Sequence, residues 1–470
     1  MRADASWLES RFGLRAAGTT VGTEIRGGLT NYLVMSYILV VNAVVLGNAG
    51  IPFPAVVAAT ALMAALFTGG MALWANYPYA GAAGLGINAV VAFTLVKGAG
   101  LSWQGAMGVV ALEGLAICVA MALGVRRALL DAVPVPLKLG IGAGIGAFIF
   151  TIGAFNGGLA VATGIPSDPI ALGNLNSATA IVTIGGLLLT AFLYARNIKG
   201  ALILGIIGAT IIGIAVNAAT GGATYKAFPG VAVMPTTWLD TPDFSTIGAV
   251  FTTVNGSFAL FEVFKLGFFV AILTVFSLML SDFFDTAGTV VSVASEGGWL
   301  RPDGTIPRAD RVFWVDSLGA LFGGIFGTSS NTTYIESGAG VAEGAKTGLA
   351  SLVTAALFLV SILLAPIAGI VPPQATAPAL MLVGWFMFKP ILDLNKVGNI
   401  DFATGFAVLL TVFVMPLTYS ITNGIGVGFI AYTLLKLASG RSADVSRWMW
   451  IASIAFAIYF ADPWLRQFIK

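Results

Sequence analysis

The sequence predicts an all-α integral membrane protein with fourteen transmembrane segments, arranged as two seven-helix repeats of opposite orientation. Of the 470 residues, 58% are hydrophobic and only 9% are charged. Apolar runs recur along the whole chain at about 20 residues each, the length with which an α-helix crosses a bilayer core of about 30 Å. The polar connections between these runs are short, so we expect the function to lie within the membrane.

The apolar runs form two sets of seven, separated by a polar linker that contains proline. The first set covers residues 29–47, 54–74, 84–96, 102–124, 138–157, 177–195 and 200–219. The second set covers residues 266–290, 312–326, 334–345, 348–370, 376–391, 402–417 and 421–438. A segment near 246–262 is expected at the membrane interface, and the apolar piece 448–465 is either an extra span or an interfacial helix. The predicted regions are therefore an N-terminal tail (1–27), a first repeat (28–220), a linker (221–265), a second repeat (266–438) and a C-terminal region (439–470).

The distribution of positive charge supports this count. Lys and Arg concentrate in short cytoplasmic loops, and the N-terminal tail carries four Arg without the apolar core of a cleaved signal peptide. With a cytoplasmic N-terminus, one side receives Arg126, Arg127, Lys138, Arg196, Lys199, Arg301, Arg308, Arg311, Lys346, Lys389, Lys396, Lys436 and Arg441. Lys97 and Lys226 fall on the other side. The asymmetry favours a break of the stretch 402–438 at residues 415–418, and a seven-span unit repeated in sequence must insert inverted.

The residue types exclude several classes of function. The chain has no histidine and a single cysteine, Cys118, so His-based metal sites, His-based catalytic triads and disulfide frameworks are not expected. The net charge of +2 is too small and too scattered for a nucleic-acid surface. We therefore expect no metal, no cofactor, no nucleic-acid partner and no enzymatic activity. Carboxylates remain as the groups that can carry protons near neutral pH.

Two polar, acid-bearing stretches, 281–289 and 327–338, interrupt the apolar sequence and mark the predicted site. Polar and ionisable groups are costly to hold in a membrane and are usually functional there. The second stretch precedes the short third run of its half, and a Gly-rich approach, 76–88, holds the same position in the first half. Matching interrupted segments in two halves are typical of a transporter's midplane binding site, because a helix that starts there presents free backbone N–H groups to a polar ligand.

Asp282, Asp285 and Glu336 are the candidate site acids. Asp282 and Asp285 are three residues apart on neighbouring positions of a helix, and either carboxyl could instead buttress an adjacent helix. We expect Asp282 to be the functional one, because it lies deeper in the membrane. Glu336 follows Thr332 and Thr333, whose side chains can satisfy free N–H groups, and it either contacts a ligand or caps the short helix.

Further polar and small residues have competing interpretations. Glu113 lies in the middle of an apolar run and is expected to be neutral and hydrogen-bonded between helices, and Asp316 is similar. The interleaved glycines at 140, 142, 144 and 146 indicate close helix packing or, alternatively, a sliding surface. The aromatic residues Phe283, Phe284 and Tyr334 could stack on a ligand, although core packing is the more common role.

Several pieces of the chain form a recognisable combination: residues 27–37 with Asn42, 76–88, Arg126 with Asp131 and Pro134, 281–289, 328–344, and 415–418. Together they resemble the AzgA-like purine permeases, within the wider nucleobase and ascorbate transporter group. The similarity covers about residues 20 to 440 and is most specific in the two acid-bearing stretches.

The resemblance implies a core domain (spans 1–4 and 8–11) and a gate domain (spans 5–7 and 12–14), with the ligand between them. It implies import of a purine nucleobase (hypoxanthine, guanine or adenine) with protons, by alternating access, in a homodimer of a bacterial inner membrane. The purine contacts would be Asp282, Glu336, Asn88, Thr332, Thr333 and Phe283, and proton coupling would involve Asp282, Glu336 and Asp285.

This chain departs from the family pattern at two places. Ala82-Ala83 stands where relatives commonly carry Ala-Pro, so unwinding before the third helix would rely on glycine, and Asn331 replaces the usual Thr. The purine preference is therefore open. The alternatives are a uracil or xanthine carrier, a sulfate or bicarbonate transporter of the same architecture, and a membrane enzyme or channel. The two acids disfavour an anion carrier because they repel anions, and the sequence shows no enzymatic constellation.

Overall fold

The apolar runs are helices in the structure, a computed structural model that describes residues 4–124, 133–165, 168–219, 241–254, 256–301, 305–397 and 400–468. Spans 1–7 are Val21–Met35 with Ile38–Gly47, Phe53–Gly70 with Met71–Ala75, Leu85–Ala89 with Val90–Gly98, Trp103–Ala122, Val135–Asn156, Ala178–Ala195 and Ala201–Ala219. Spans 8–14 are Phe268–Glu296, Ala309–Phe326, Ser337–Ala342, Gly348–Ser361, Pro373–Phe388, Phe402–Thr418 and Ile421–Ala438. Each predicted run thus has a helix, and most ends are shifted by a few residues. The first helix starts at Val21 instead of residue 29, and span 11 ends at Ser361 instead of residue 370, followed by two short helical pieces.

Helix length and hydropathy identify a multi-pass membrane protein. Among the described residues, nine helices are long and apolar enough to cross a membrane, and spans 3, 11 and 13 are shorter apolar helices. The other two spans have specific reasons for falling short. Span 9 carries Asp310, Arg311 and Asp316, and span 10 is only six residues long. The predicted fold class is confirmed, including the short discontinuous third and tenth spans.

The spans pack in two groups. Spans 1, 2, 4 and 8–11 contact one another, with spans 4 and 9, and spans 2 and 11, among the closest pairs. Spans 5–7 and 12–14 form the second group, in which span 5 lies against spans 12 and 13. These groups are the core and gate domains. Span 3 lies between them and touches both span 1 and span 5.

Short strands complete the architecture. β1 (Gly81–Ala83) precedes span 3, and β6 (Asn331–Thr333) precedes span 10. They pair antiparallel with Ala82 opposite Thr332, so the two interrupted segments meet at the centre of the core domain. The hairpins β2–β3 (Ala160–Ile165, Asp168–Leu172) and β4–β5 (Thr253–Val254, Ser257–Phe258) are external, and none of these strands was predicted from the sequence.

The predicted interfacial segment is a series of short turns of helix. It contains Ala249–Phe251 and Ala259–Leu266, joined by the β4–β5 hairpin. Shorter helical pieces elsewhere are Asp4–Phe12, Ile362–Leu364, Ala365–Ala368, Lys389–Val397 and Ser442–Asp444. The C-terminal apolar piece is the helix Arg447–Phe468, which packs along span 14 through a Thr433–Ser453 hydroxyl contact of 2.7 Å.

The predicted break near the C-terminus lies slightly further along the chain. Span 13 continues through Pro416 to Thr418, and the chain reverses at Tyr419, whose φ of 49° is left-handed. Ser420 then caps span 14 by accepting from the Asn423 N–H at 3.2 Å. The predicted positions Arg126, Arg127, Asp131 and Lys226 lie outside the described residues.

The glycine stripe of span 5 packs within the gate domain. A Cβ at Gly144 would lie 2.6 Å from Met415 Sδ of span 13, and one at Gly146 would lie 2.5 Å from the Gly384 oxygen of span 12. These are contacts between helices of one domain. The structure therefore favours close helix packing over a sliding surface, because the facing helices belong to the same group.

Candidate functional site

The site is built on the β1–β6 pair. Gly81 is required in β1, since a Cβ there would lie 2.2 Å from the Phe67 ring and 2.4 Å from the Thr332 oxygen. Gly84 N donates to the Ser330 oxygen at 2.7 Å, and Tyr334 N donates to the Ala80 oxygen at 2.9 Å, extending the ladder at both ends. Unwinding before span 3 thus depends on strand pairing as well as on the expected glycine. The backbone groups of these broken segments pair with each other, as a buried irregular chain requires.

A cavity opens beside this pair, between the core and gate domains. Its acidic side chains are Asp285 of span 8 and Glu336 at the start of span 10. The wall from the gate domain is apolar and comes from span 12. The full lining is Tyr37, Gly84, Leu85, Gly86, Asp285, Thr289, Thr332, Thr333, Tyr334, Ile335, Glu336, Val383, Phe386 and Met387.

Glu336 is held by a residue from span 1. The Tyr37 hydroxyl donates to Glu336 Oε1 at 2.8 Å, and Tyr37 itself is buried at the break between the two helices of span 1. The Tyr334 hydroxyl, also at the cavity, donates to the Ala83 oxygen of β1. Glu336 is half-buried and lines the cavity, where a carboxylate can accept hydrogen bonds from a ligand.

Asp316 of span 9 organises the floor of the site. Its Oδ1 accepts from the Thr333 N–H and the Thr333 hydroxyl, both at 3.0 Å, and its Oδ2 accepts from the Thr286 hydroxyl at 2.7 Å. Thr286 and Thr332 hydroxyls are 2.7 Å apart. Asp316 therefore has the structural role expected of it, tying spans 8 and 9 to β6.

Asp282 does not line the cavity. It is buried one helical turn from Asp285, where Ser330 Oγ donates to its Oδ2 at 3.0 Å. Glu113 of span 4, a helix that packs against span 8, is also fully buried, and neither of its carboxyl oxygens has a hydrogen-bond partner among the described residues. Asp285, which was expected to assist, therefore lines the cavity. Asp282, which was expected to bind the ligand, lies outside the cavity lining.

The other predicted contacts divide in the same way. Thr332 and Thr333 line the cavity, although their hydroxyls already bond to Thr286 and Asp316. Asn88 is buried away from the cavity lining, and neither atom of its amide has a hydrogen-bond partner among the described residues. Phe283 packs in the core against Phe284 and Phe313, at ring distances of 5.8 Å and 6.2 Å, so packing is its role here.

The Asn331 side chain hydrogen-bonds to residues of the loop that precedes β6. Its Nδ2 donates to Thr328 Oγ1 at 2.9 Å and to the Ser329 oxygen at 3.1 Å, where Ser329 has a left-handed φ of 71°. Asn331 is not part of the cavity lining. The departure from Thr at this position therefore changes the support of β6 and leaves the cavity surface unaltered.

Sequence reasoning missed Tyr37 and the three apolar residues of span 12. The sequence signal for Tyr37 is a tyrosine hydroxyl in an otherwise apolar span, at the end of the motif 27–37. Val383, Phe386 and Met387 carry no comparable signal, since apolar residues at this spacing are expected in any membrane helix.

A comparison with protein families decides the class of this protein. The Xan_ur_permease model, described as "Permease family", matches residues 22–427. The chain belongs to this permease family. This chain is 36% identical over 451 residues to the adenine permease AdeP of Escherichia coli (strain K12). The match covers 96% of this chain and 95% of AdeP. The PbuG guanine/hypoxanthine permease of Bacillus subtilis (strain 168) is 34% identical over 467 residues, covering 96% and 99%. The resemblance to AzgA-like purine permeases is thereby confirmed.

The permease shares its fold with a solved transporter of different sequence. The transmembrane domain of the cyanobacterial bicarbonate transporter BicA superposes with a TM-score of 0.60 at 16% identity, covering 86% of this chain and 97% of that domain. At this identity the likeness shows the fold alone. It supports the arrangement of fourteen spans in core and gate domains.

Proposed function

We propose that the permease imports purine nucleobases by proton symport with alternating access. The support for the substrate class is the similarity over nearly the full chain to relatives named as adenine and guanine/hypoxanthine permeases. The observation that carries the site is the cavity in which Asp285 and Glu336 face an apolar wall at the meeting of the two domains.

The lining suits a flat, polar-edged heterocycle. A purine edge offers N–H donors beside acceptors, and an ionised carboxylate accepts such donors while a protonated one can also donate. Glu336 and Asp285 would hold this edge. The faces of the ring would lie against Val383, Phe386 and Met387, where apolar surface is removed from water.

Proton coupling supplies the driving force in this proposal. Moving one proton inward with a neutral purine transfers one positive charge, worth about 2.3 kcal/mol per 100 mV of membrane potential. The candidates to carry it are Asp282, which is buried, and Asp285 and Glu336, which line the cavity. The permease would lie in a bacterial inner membrane with its N-terminus in the cytoplasm, divided into the tail, two repeats, linker and C-terminal region given in the sequence analysis. It would form a homodimer through the gate domain.

Uptake of radiolabelled purine into proteoliposomes tests the substrate and its site. We expect unlabelled hypoxanthine, guanine or adenine to compete, and uracil and sulfate not to. Ala substitution of Asp285 or Glu336 should lower uptake at least tenfold while the protein stays in the membrane. Asp243→Ala is the matched control, because this acid lies outside the spans and bonds only to the Ser245 N–H among the described residues.

If only uracil or only sulfate competed with the labelled purine, the proposed substrate would have to be changed from a purine to that compound. Unchanged uptake in both the Asp285 and Glu336 variants would remove these acids from the site.

A further inference from the structure

Three arginines from two distant parts of the chain meet at the C-terminal end of span 2. Arg11 lies on the N-terminal helix Asp4–Phe12, and Arg308 and Arg311 lie at the start of span 9. Their guanidinium groups donate to the last carbonyl oxygens of span 2: Arg11 to Leu73, Arg311 to Trp74 at 3.3 Å and Arg308 to Asn76 at 3.4 Å. The three cations are therefore held around the last turn of one helix, where the helix dipole favours positive charge.

These contacts use only a small part of what the three arginines offer. A guanidinium group carries five N–H donors, and the bonds to span 2 use one nitrogen of each. All three side chains are exposed, and among the described residues none of them forms an ion pair with a carboxylate. The end of span 2 therefore carries three positive charges with donors left over, an arrangement that suits a phosphate group.

Apolar side chains continue from this charge along the surface of span 2. Leu66, Leu73 and Trp74 are 54%, 47% and 45% exposed. Leu66 and Leu73 are seven residues apart, so they lie on one face of the helix, about 10 Å from each other along its axis. Tryptophan is enriched at the level of the lipid headgroups. A ligand with a phosphate group and long apolar chains would use both parts of this surface, whereas a free anion would use only the arginines.

The N-terminal helix is seated directly beside these arginines. Phe12, at the end of this helix, is buried against Leu349 of span 11. The Phe12 carbonyl oxygen accepts from Asn76 Nδ2 at 3.2 Å. A phosphate bound to all three arginines would therefore join the N-terminal helix to spans 2 and 9 of the core domain.

We propose that Arg11, Arg308 and Arg311 bind the phosphate of an anionic phospholipid at the membrane surface where the N-terminus lies. The acyl chains of this lipid extend along Leu66 and Leu73, and its headgroup fastens the N-terminal helix to the core domain. The site is independent of the proposed purine transport, because none of these residues lines the cavity.

Native mass spectrometry of the delipidated wild-type protein tests the choice of lipid. The probes are phosphatidylglycerol, which is anionic, and phosphatidylcholine with the same acyl chains, which has no net charge. At equal lipid concentrations we expect one phosphatidylglycerol per chain to be retained at least fivefold more than phosphatidylcholine. Equal retention of the two lipids would overturn the proposal.

Gln substitution of all three arginines tests the place of binding. Glutamine can still donate to the carbonyl oxygens of span 2 but carries no charge, so we expect retention of phosphatidylglycerol to fall at least fivefold. Arg196→Gln is the control, because Arg196 is another exposed arginine, at the end of span 6, where its guanidinium lies 5.7 Å from the Phe192 ring. The control should retain the lipid as the wild type does. Unchanged retention in the triple variant would overturn the assignment.

Hydrogen exchange of the wild-type protein covers the case in which the triple variant does not fold. Added phosphatidylglycerol should slow exchange of the backbone amides of the N-terminal helix at least threefold, while phosphatidylcholine and inorganic phosphate should not. An equal effect of inorganic phosphate would show an anion site that does not require a lipid and would overturn the proposal. Exchange that phosphatidylglycerol leaves unchanged would overturn it as well.

Discussion

The hydroxyl of Tyr37 donates a 2.8 Å hydrogen bond to Oε1 of Glu336 at the edge of the substrate cavity. The two residues are 299 positions apart, in spans 1 and 10. The bond holds one oxygen of a carboxylate that lines the cavity.

Removing this bond should weaken substrate binding. A hydrogen bond to a charged group contributes about 1.5–3 kcal/mol, so Tyr37→Phe should raise the Kd for purine about tenfold or more. Equilibrium binding of radiolabelled purine to the purified protein measures the change. Tyr32→Phe is the control, because the Tyr32 hydroxyl bonds to Ser361 Oγ at 2.7 Å outside the cavity lining. An equal effect of the two variants would contradict the role of Tyr37.

Contact between Gly86 and Ile145 should limit movement between the domains. A Cβ at Gly86 of span 3 would lie 2.7 Å from Ile145 Cγ2 of span 5, so Gly86→Ala requires one helix to shift. Overpacking of this kind costs about 1–3 kcal/mol. We expect uptake to fall about tenfold and to recover when Ile145→Ala is added. Gly142→Ala, whose Cβ would have no atom closer than 3.9 Å, should transport normally. Failure of the double variant to recover would show that the defect is not this contact.

Asp316 should be the most sensitive acid for stability. Asp316→Ala removes the acceptor of the Thr333 N–H, Thr333 hydroxyl and Thr286 hydroxyl, and leaves these donors buried. We expect a loss of about 3 kcal/mol in unfolding free energy, since each orphaned group costs about 1–3 kcal/mol. Thermal unfolding in detergent measures it, with Asp243→Ala expected to have a small effect. Equal melting of Asp316→Ala and wild type would refute the assignment.

The ion cluster at the ends of spans 13 and 14 should give an acid-sensitive contribution to stability. Burial raises the pKa of Asp401, but hydrogen bonds from Lys436 and Thr404 outweigh this and lower the pKa from 3.8 to about 2. Because the folded pKa is below the unfolded one, the contribution is complete above about pH 4 and is lost as the pH falls toward 2.

Comparing wild type with Asp401→Asn tests that contribution. The difference in unfolding free energy should be constant from pH 7 to pH 5 and should shrink between pH 4 and pH 2. Lys436 Nζ and Arg441 Nη1 contact Asp401 Oδ2 at 2.8 Å and 2.9 Å, so high salt should reduce the same difference. A difference that grows on acidification would contradict the sign.

Features of the fold that depend on neighbouring residues could be predicted from the sequence, and contacts between distant parts of the chain could not. The spans, their number and the two interrupted segments could be predicted, because hydropathy and helix length act locally. The break after span 13 was placed within a few residues for the same reason, since Pro416 and the following polar residues are local signals. Strand pairing between β1 and β6 could not be predicted, because 250 residues separate partners such as Ala82 and Thr332.

The candidate site shows the same division at the level of single residues. The sequence by itself marked Asp282, Asp285 and Glu336 as candidate site residues. An ionisable group in an apolar membrane segment is costly, so it is usually paired or functional. Only the tertiary structure decided that Asp285 lines the cavity and that Asp282 accepts a hydrogen bond from Ser330 outside the cavity lining. Two residues three positions apart on a helix point about 60° from each other. Their roles therefore depend on which neighbouring helix covers each direction, and that is set by the packing of distant segments.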